Sequence, residues 1–185
     1  MVAHDTDQAI RASFLDLYAE RPFERITIKE LCERTPLGRT TFYAHYDNLD
    51  EVKRAIEDDL LGDLCSIIEN GANGNLTSAD FTAILVKVIQ YVEERDADFR
   101  AFLCIQPNAR FIARWKDIIK ANLSRRYPSA PQNPNGNLMA EILASAMIGA
   151  YAFLASNPRT VDREQVAARI DRALSAAMDG ALGLG

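Results

Sequence analysis

Between Arg39 and His45 the chain carries hydrogen-bond donors on Arg39, Thr40, Thr41, Tyr43 and His45. Donors at this density suit a polyanion with hydrogen-bonding edges. Arginine forks onto guanine edges or phosphate oxygens, threonine hydroxyls serve bases or backbone, and tyrosine and histidine donate to flanking phosphates. Catalytic patterns are missing by comparison. The two histidines are His4 and His45, and the chain has no GxGxxG, Walker loop, GxSxG or HExxH. The acidic pairs Glu93-Glu94 and Asp96/Asp98 read as solvated groups at a helix end. Cys32, Cys65 and Cys104 are far apart without CxxC spacing, so they read as small buried hydrophobes rather than metal ligands or disulfides. No enzyme, cofactor or metal site is expected.

The elements that hold these donors are local. Thr27 is a good N-cap, and Glu30 three residues on completes a capping box. Ile28, Leu31 and Cys32 then form a helical stripe. Thr35-Pro36-Leu37-Gly38 breaks the chain, and a second short helix runs from Arg39 to Tyr43 or His45. Two short helices around a tight turn make a helix-turn-helix, whose second helix enters the major groove. Ile28, Leu31, Cys32, Leu37 and Phe42 can pack the pair. A supporting helix precedes it, with Ile10, Phe14, Leu17 and Tyr18 on one face, Asp5 or Thr6 as cap, and Arg21-Pro22 as its end. Tyr43 can face DNA, pack between head and body, or do both.

The run I-T-I-K-E-L-C-E-R followed, after the turn, by R-T-T-F-Y-A-H-Y resembles the DNA-binding head of the TetR/AcrR family. The resemblance covers roughly the first 55 residues. It implies a three-helix head, a linking helix and a helical ligand-binding, dimerising body. It also implies DNA contacts by Thr27, Arg39, Thr40, Thr41, Tyr43 and His45. The chain departs from that pattern at two positions. Gly38 lacks a capping oxygen, and Leu49 stands where the family often has a phosphate-touching lysine. Lys53, one turn later, is the substitute expected for that contact.

Charge gives no help to DNA binding. The net charge is −5, and the first 53 residues hold seven Lys and Arg against ten Asp and Glu. Affinity must therefore rest on placed contacts rather than on a basic field, with modest non-specific binding. The rival reading is a helical interaction protein whose head has lost DNA binding. Acidic charge, Gly38 and Leu49 favour it, and the intact R-T-T-F-Y-A-H-Y disfavours it.

The rest of the chain is helical in period, which predicts an all-α fold of about nine helices. The expected division is a head over 1–50 and a dimerisation and ligand-binding body over 51–185. Asn70 to Asn75 and Tyr127 to Asn137 read as loops. Asp96 to Asp98 reads as a break. Arg125-Arg126 reads as a solvated helix end. Phe81, Tyr91, Phe102, Trp115, Met147 and Tyr151, with Phe99 and Phe153, either line a ligand cavity or form plain core.

Leu138 to Ala155 is apolar on nearly every face. It is slightly short for a membrane span and carries Glu141, so it is expected to be buried on all sides. Small residues recur four apart in it: Ala140 and Ala144, Ser145 and Gly149, Ala146 and Ala150. With the amphipathic last helix they suggest a symmetric dimer seam. The expected partners are a double-stranded operator, an unidentified small-molecule effector and a second copy of the chain. The polar N-terminus suggests no signal peptide and a cytoplasmic protein.

Overall fold

A computed structural model describes residues 2–71, 77–157 and 162–183. Among them are nine α-helices and no strand: α1 (Val2–Glu20), α2 (Ile28–Arg34), α3 (Arg39–Tyr43), α4 (Leu49–Asn70), α5 (Ser78–Glu94), α6 (Asp96–Arg100), α7 (Ala109–Arg126), α8 (Pro134–Ser156) and α9 (Arg163–Leu182). Short 3-10 turns at Phe23–Arg25 and Ala130–Gln132 and a π turn at Ala101–Ile105 join them.

The head is α1 to α3 packed on the start of α4. Ile10, Phe14, Leu17 and Tyr18 are buried, as their spacing predicts. α1 is already helical at Val2, so Asp5 and Thr6 lie inside it rather than capping it. It ends at Glu20, because the residue before Pro22 disfavours helical geometry. Thr27 caps α2 with a complete capping box.

α4 buries Val52, Ile56, Leu60, Leu61 and Leu64 along one face. The boundary expected at 50/51 falls in its first turn, so one continuous helix serves both head and body. Asn70 is the last residue of α4 and Gly71 caps it; the rest of the loop expected there, 72–75, lies outside the described residues.

In the body, α5 packs against α8 and α9, and α8 packs against α6, α7 and α9. The break expected at Asp96 to Asp98 falls instead at Arg95, with φ −116° and ψ 32°. Asp96 and Asp98 are the first turn of α6, where acids complement free N–H groups.

The long loop expected over 127–137 is cut short, because α8 starts at Pro134. Proline at the first turn has no N–H to lose, and the Asn133 side chain accepts from the N–H groups of Asn135 and Gly136 at 2.9 and 3.3 Å. Gly136 has a further reason to be glycine: a Cβ there would lie 2.8 Å from Leu182 and 3.0 Å from the Ala130 backbone.

Three expectations about exposure are corrected. Arg126 is no solvated end: it pairs with buried Asp171, donates to Ser175 Oγ at 2.9 Å and lies over Phe81. The Glu93 side chain is only 3% exposed and pairs with Arg163 at 2.5 Å. Cys104 is exposed, and Cys32 and Cys65 are half-buried.

α8 is not buried on all sides of one chain either. Ala140, Ala144, Met147, Tyr151 and Leu154 face inward. Leu138, Ile142, Ser145, Ala146, Gly149 and Phe153 are exposed, at spacings that place them along one side of the helix. A helix long and apolar enough to cross a membrane is thus built here into a helical bundle, half sunk and half bare.

Candidate nucleic-acid interface

α3 has five residues, too few to be stable alone. Tertiary anchors hold it. Phe42 is fully buried beside Tyr46, with ring centroids 6.2 Å apart, and Leu31 of α2 is buried in the same core. Tyr46 is in turn fixed by α1: Arg11 Nε donates to its hydroxyl at 2.8 Å, and that hydroxyl donates to Asp7. Burial, with help from the acceptor Asp7, pushes the Tyr46 phenol up to about 12, so it stays a neutral donor. Arg11 also bonds Asp59 of α4. One cluster therefore joins α1, the end of the helix-turn-helix and α4.

With Phe42 turned inward, the donors on the other faces of α3 are displayed. Arg39, Thr40 and Tyr43 are exposed; Thr41 and His45 are half-buried. Tyr43 is 55% exposed, so it does not pack between head and body; its ring meets Phe42 edge-on at 5.5 Å.

Gly38 starts α3 in extended backbone without a side-chain cap. A Cβ at Gly38 would meet nothing within 4 Å, so the helix start is uncrowded.

Ion pairing separates Arg39 from most of the head's other cations. Arg11, Arg21, Lys29, Arg34 and Lys53 each pair with an acid of their own chain. Arg25 and Arg39 form no ion pair with a described residue. These pairs occupy most of the head's cations and leave its net charge acidic, while Arg39 stays available at the start of α3.

Two expected contacts are placed differently. Thr27 is exposed, but its hydroxyl donates to Glu30 Oε2 at 2.8 Å and accepts from the Glu30 N–H at 3.2 Å. Its proton is already engaged by the cap. Lys53 lies over the Phe23 ring at 3.6 Å and pairs with Asp50 at 3.1 Å, with only 19% of its side chain exposed. It lines the junction between head and body, so the substitution proposed for Leu49 is not supplied by its placement. Leu49 itself packs against the core.

A joint missed in the sequence lies at Gln106. Its Oε1 accepts from the Phe23 N–H at 2.9 Å, and its Nε2 donates to the carbonyls of Arg21, at 2.7 Å, and Tyr18. The Tyr18 hydroxyl donates back to the Gln106 carbonyl at 3.2 Å. The body's π turn is thereby fastened to the end of α1. A lone glutamine before a proline carries no periodic signal, so only the fold could reveal it.

The proposed pocket residues sit in the middle of the body. Phe81, Phe102, Trp115, Met147 and Tyr151 are buried, and Tyr91 is half-buried with its hydroxyl donating to Asp63 at 2.7 Å. Trp115 stacks on Tyr151 at 4.9 Å and tilts against Phe99 at 5.0 Å, while Phe102 meets Phe111 at 5.4 Å. These rings fill space against one another, as plain core does. Phe153 is excluded from them and faces outward. No cluster of three metal-ligating side chains occurs among the described residues.

No protein-family model and no curated protein matches the sequence. Solved structures do match its shape. A TetR-family transcriptional regulator from Streptomyces coelicolor superposes with a TM-score of 0.68 at 15% identity, covering 98% of this chain and 84% of that one. A TetR regulator from Streptococcus agalactiae 2603V gives 0.63 at 20% identity, covering 95% and 94%. The dihydroxyacetone kinase operon activator DhaS gives 0.58 at 16% identity, covering 94% and 96%. The chain therefore has the all-α fold of TetR-family regulators along nearly its whole described length.

Proposed function

We propose that this chain is a DNA-binding transcriptional regulator that acts as a homodimer and answers to a small-molecule effector, most simply as a repressor. The observation that carries this reading is the division of α3. Phe42 is buried as its anchor, while Arg39, Thr40 and Tyr43 stand exposed, and Arg39 has no ion pair to break before meeting DNA. Thr41 and His45 flank that row as contacts to backbone or base. Thr27 and Lys53 contribute less, because the capping box and the Phe23 ring already hold their polar groups.

Dimerisation is supported by the bare side of α8. Leu138, Ile142 and Phe153 are exposed together with the small residues Ser145, Ala146 and Gly149 between them. Beside them Ala176, Gly180 and Ala181 of α9 help form a groove with Leu138 and Ile142. A contiguous apolar patch of this kind marks an interface, and small residues at its centre permit close helix approach. Two heads would then meet half-sites about one helical turn apart, and a ligand that changes their spacing would change affinity.

The test is recovery of bound fragments from the host genome, followed by salt titration on the selected site. Specific binding with a negative slope of log affinity against log salt is expected. Equal affinity for selected and random DNA would instead support the rival reading, a helical interaction protein with a degenerate head.

A further inference from the structure

The joint between head and body encloses a polar cleft of about 490 Å³, lined by Tyr18, Phe23, Lys53, Glu57, Asn108 and Arg110 among others. That volume lies in the range of small-molecule sites. Its unusual member is Glu57. The residue sits in the buried face of α4 among Val52, Ile56, Leu60 and Leu61, and is 1% exposed. Its Oε1 accepts from Asn108 Nδ2 at 2.6 Å. Its Oε2 is buried and accepts no hydrogen bond.

The cation within 4.0 Å of that oxygen is Arg110, whose Nε stands off at 3.9 Å on a half-exposed side chain. A buried carboxylate oxygen left without a donor is uncommon and unfavourable. Its neighbours along α4 are aliphatic, and the Asn108 bond at the start of α7 uses Oε1 alone, so Oε2 is left over.

We propose that this cleft binds a small molecule bearing a protonated amine, whose ammonium donates to Glu57 Oε2 in place of the loose Arg110 contact. The class follows from what the oxygen lacks. It needs a donor, and a cationic donor bonds a carboxylate more strongly than a neutral one. An anionic group could meet Lys53, Arg54 or Arg110 in the lining, but it would leave Glu57 Oε2 without a donor. A metal ion would need several ligating groups, and the described residues offer no such cluster.

The position adds a consequence. The cleft has walls from the head, at Tyr18, Phe23 and Glu24, and from the body, at Gln106, Asn108 and Arg110. An occupant touches both, beside the Gln106 joint, and is distinct from anything placed in the aromatic core. Binding stands apart from the regulator reading; only an effect of binding on operator affinity rests on it.

The test uses the full chain without DNA. n-Butylammonium and its neutral isostere 1-butanol are titrated at equal concentrations while the side-chain amide resonances of Gln106 and Asn108 are followed by NMR. Saturable shifts with the amine and none with the alcohol are expected, and Glu57→Gln should weaken the amine by about tenfold or more, as loss of a charge-assisted bond implies. Equal responses to both probes, no saturation at millimolar amine, or unchanged affinity in Glu57→Gln would overturn the proposal. If Glu57→Gln fails to fold by circular dichroism, the comparison of probes on the wild-type chain still decides. Failure here leaves the DNA reading standing, and failure of DNA binding leaves this readout untouched.

Discussion

Tyr43 on α3 and Tyr151 on α8 have the same side chain and opposite uses. Tyr43 is 55% exposed and touches one ring at its edge. Tyr151 is buried and stacked on Trp115 within 9° of parallel. The difference extends to their regions. The head keeps a few large hydrophobes as anchors, satisfies most of its charges internally and leaves one row of donors outside. The body spends its aromatic residues on one another. Residue type alone does not separate recognition from packing; what separates them here is whether the fold displays the ring or encloses it.

That contrast can be broken or sharpened by substitution. The largest effect is expected in the body. Trp115→Ala removes the ring that contacts Phe99, Phe111 and Tyr151, and should cost about 3–5 kcal/mol in a urea melt. A cost under about 1 kcal/mol would mean that the rings are loosely packed and that a cavity is present after all.

The bare side of α8 comes next. Ile142→Glu places a charge at the centre of the proposed seam and should weaken self-association by about 2 kcal/mol or more, read by sedimentation equilibrium. Unchanged association would move the interface elsewhere.

At α3, Arg39→Ala should weaken binding to the selected site by about 1–3 kcal/mol in a gel-shift titration, with the thermal melt unchanged because Arg39 makes no ion pair. A lowered melting temperature with intact binding would put Arg39 on the structural side of the comparison. The smallest effect belongs to Gly38→Asn. A Cβ there meets nothing within 4 Å and the backbone is extended, so the new capping oxygen should stabilise the head by a few tenths of a kcal/mol. Destabilisation would show that the helix start is more crowded than its backbone suggests.

Much of this architecture was legible in advance. The Thr27–Glu30 capping box, the break before Arg39 and the inward set Ile10, Phe14, Leu17, Leu31 and Phe42 follow from local rules, because caps and periodicity involve residues within one or two turns. Polarity misleads at Asp96, Glu93 and Arg126, and loop-like composition misleads at Pro134. Asp96 and Pro134 are first-turn residues, where an acid complements the free N–H groups and proline has no N–H to lose. Glu93 and Arg126 found partners about 70 and 45 residues away in sequence.

By itself the sequence determined an all-helical chain and a short helix whose exposed residues are donors, because hydrophobic spacing records which side chains share a face. The tertiary structure decided which faces meet. It sank one side of α8 and left the other bare, turned Lys53 onto Phe23, tied the head down through Gln106 and buried Glu57 of α4 beside Asn108. Those outcomes depend on how helices cross, and a crossing is set by side chains far apart in the chain.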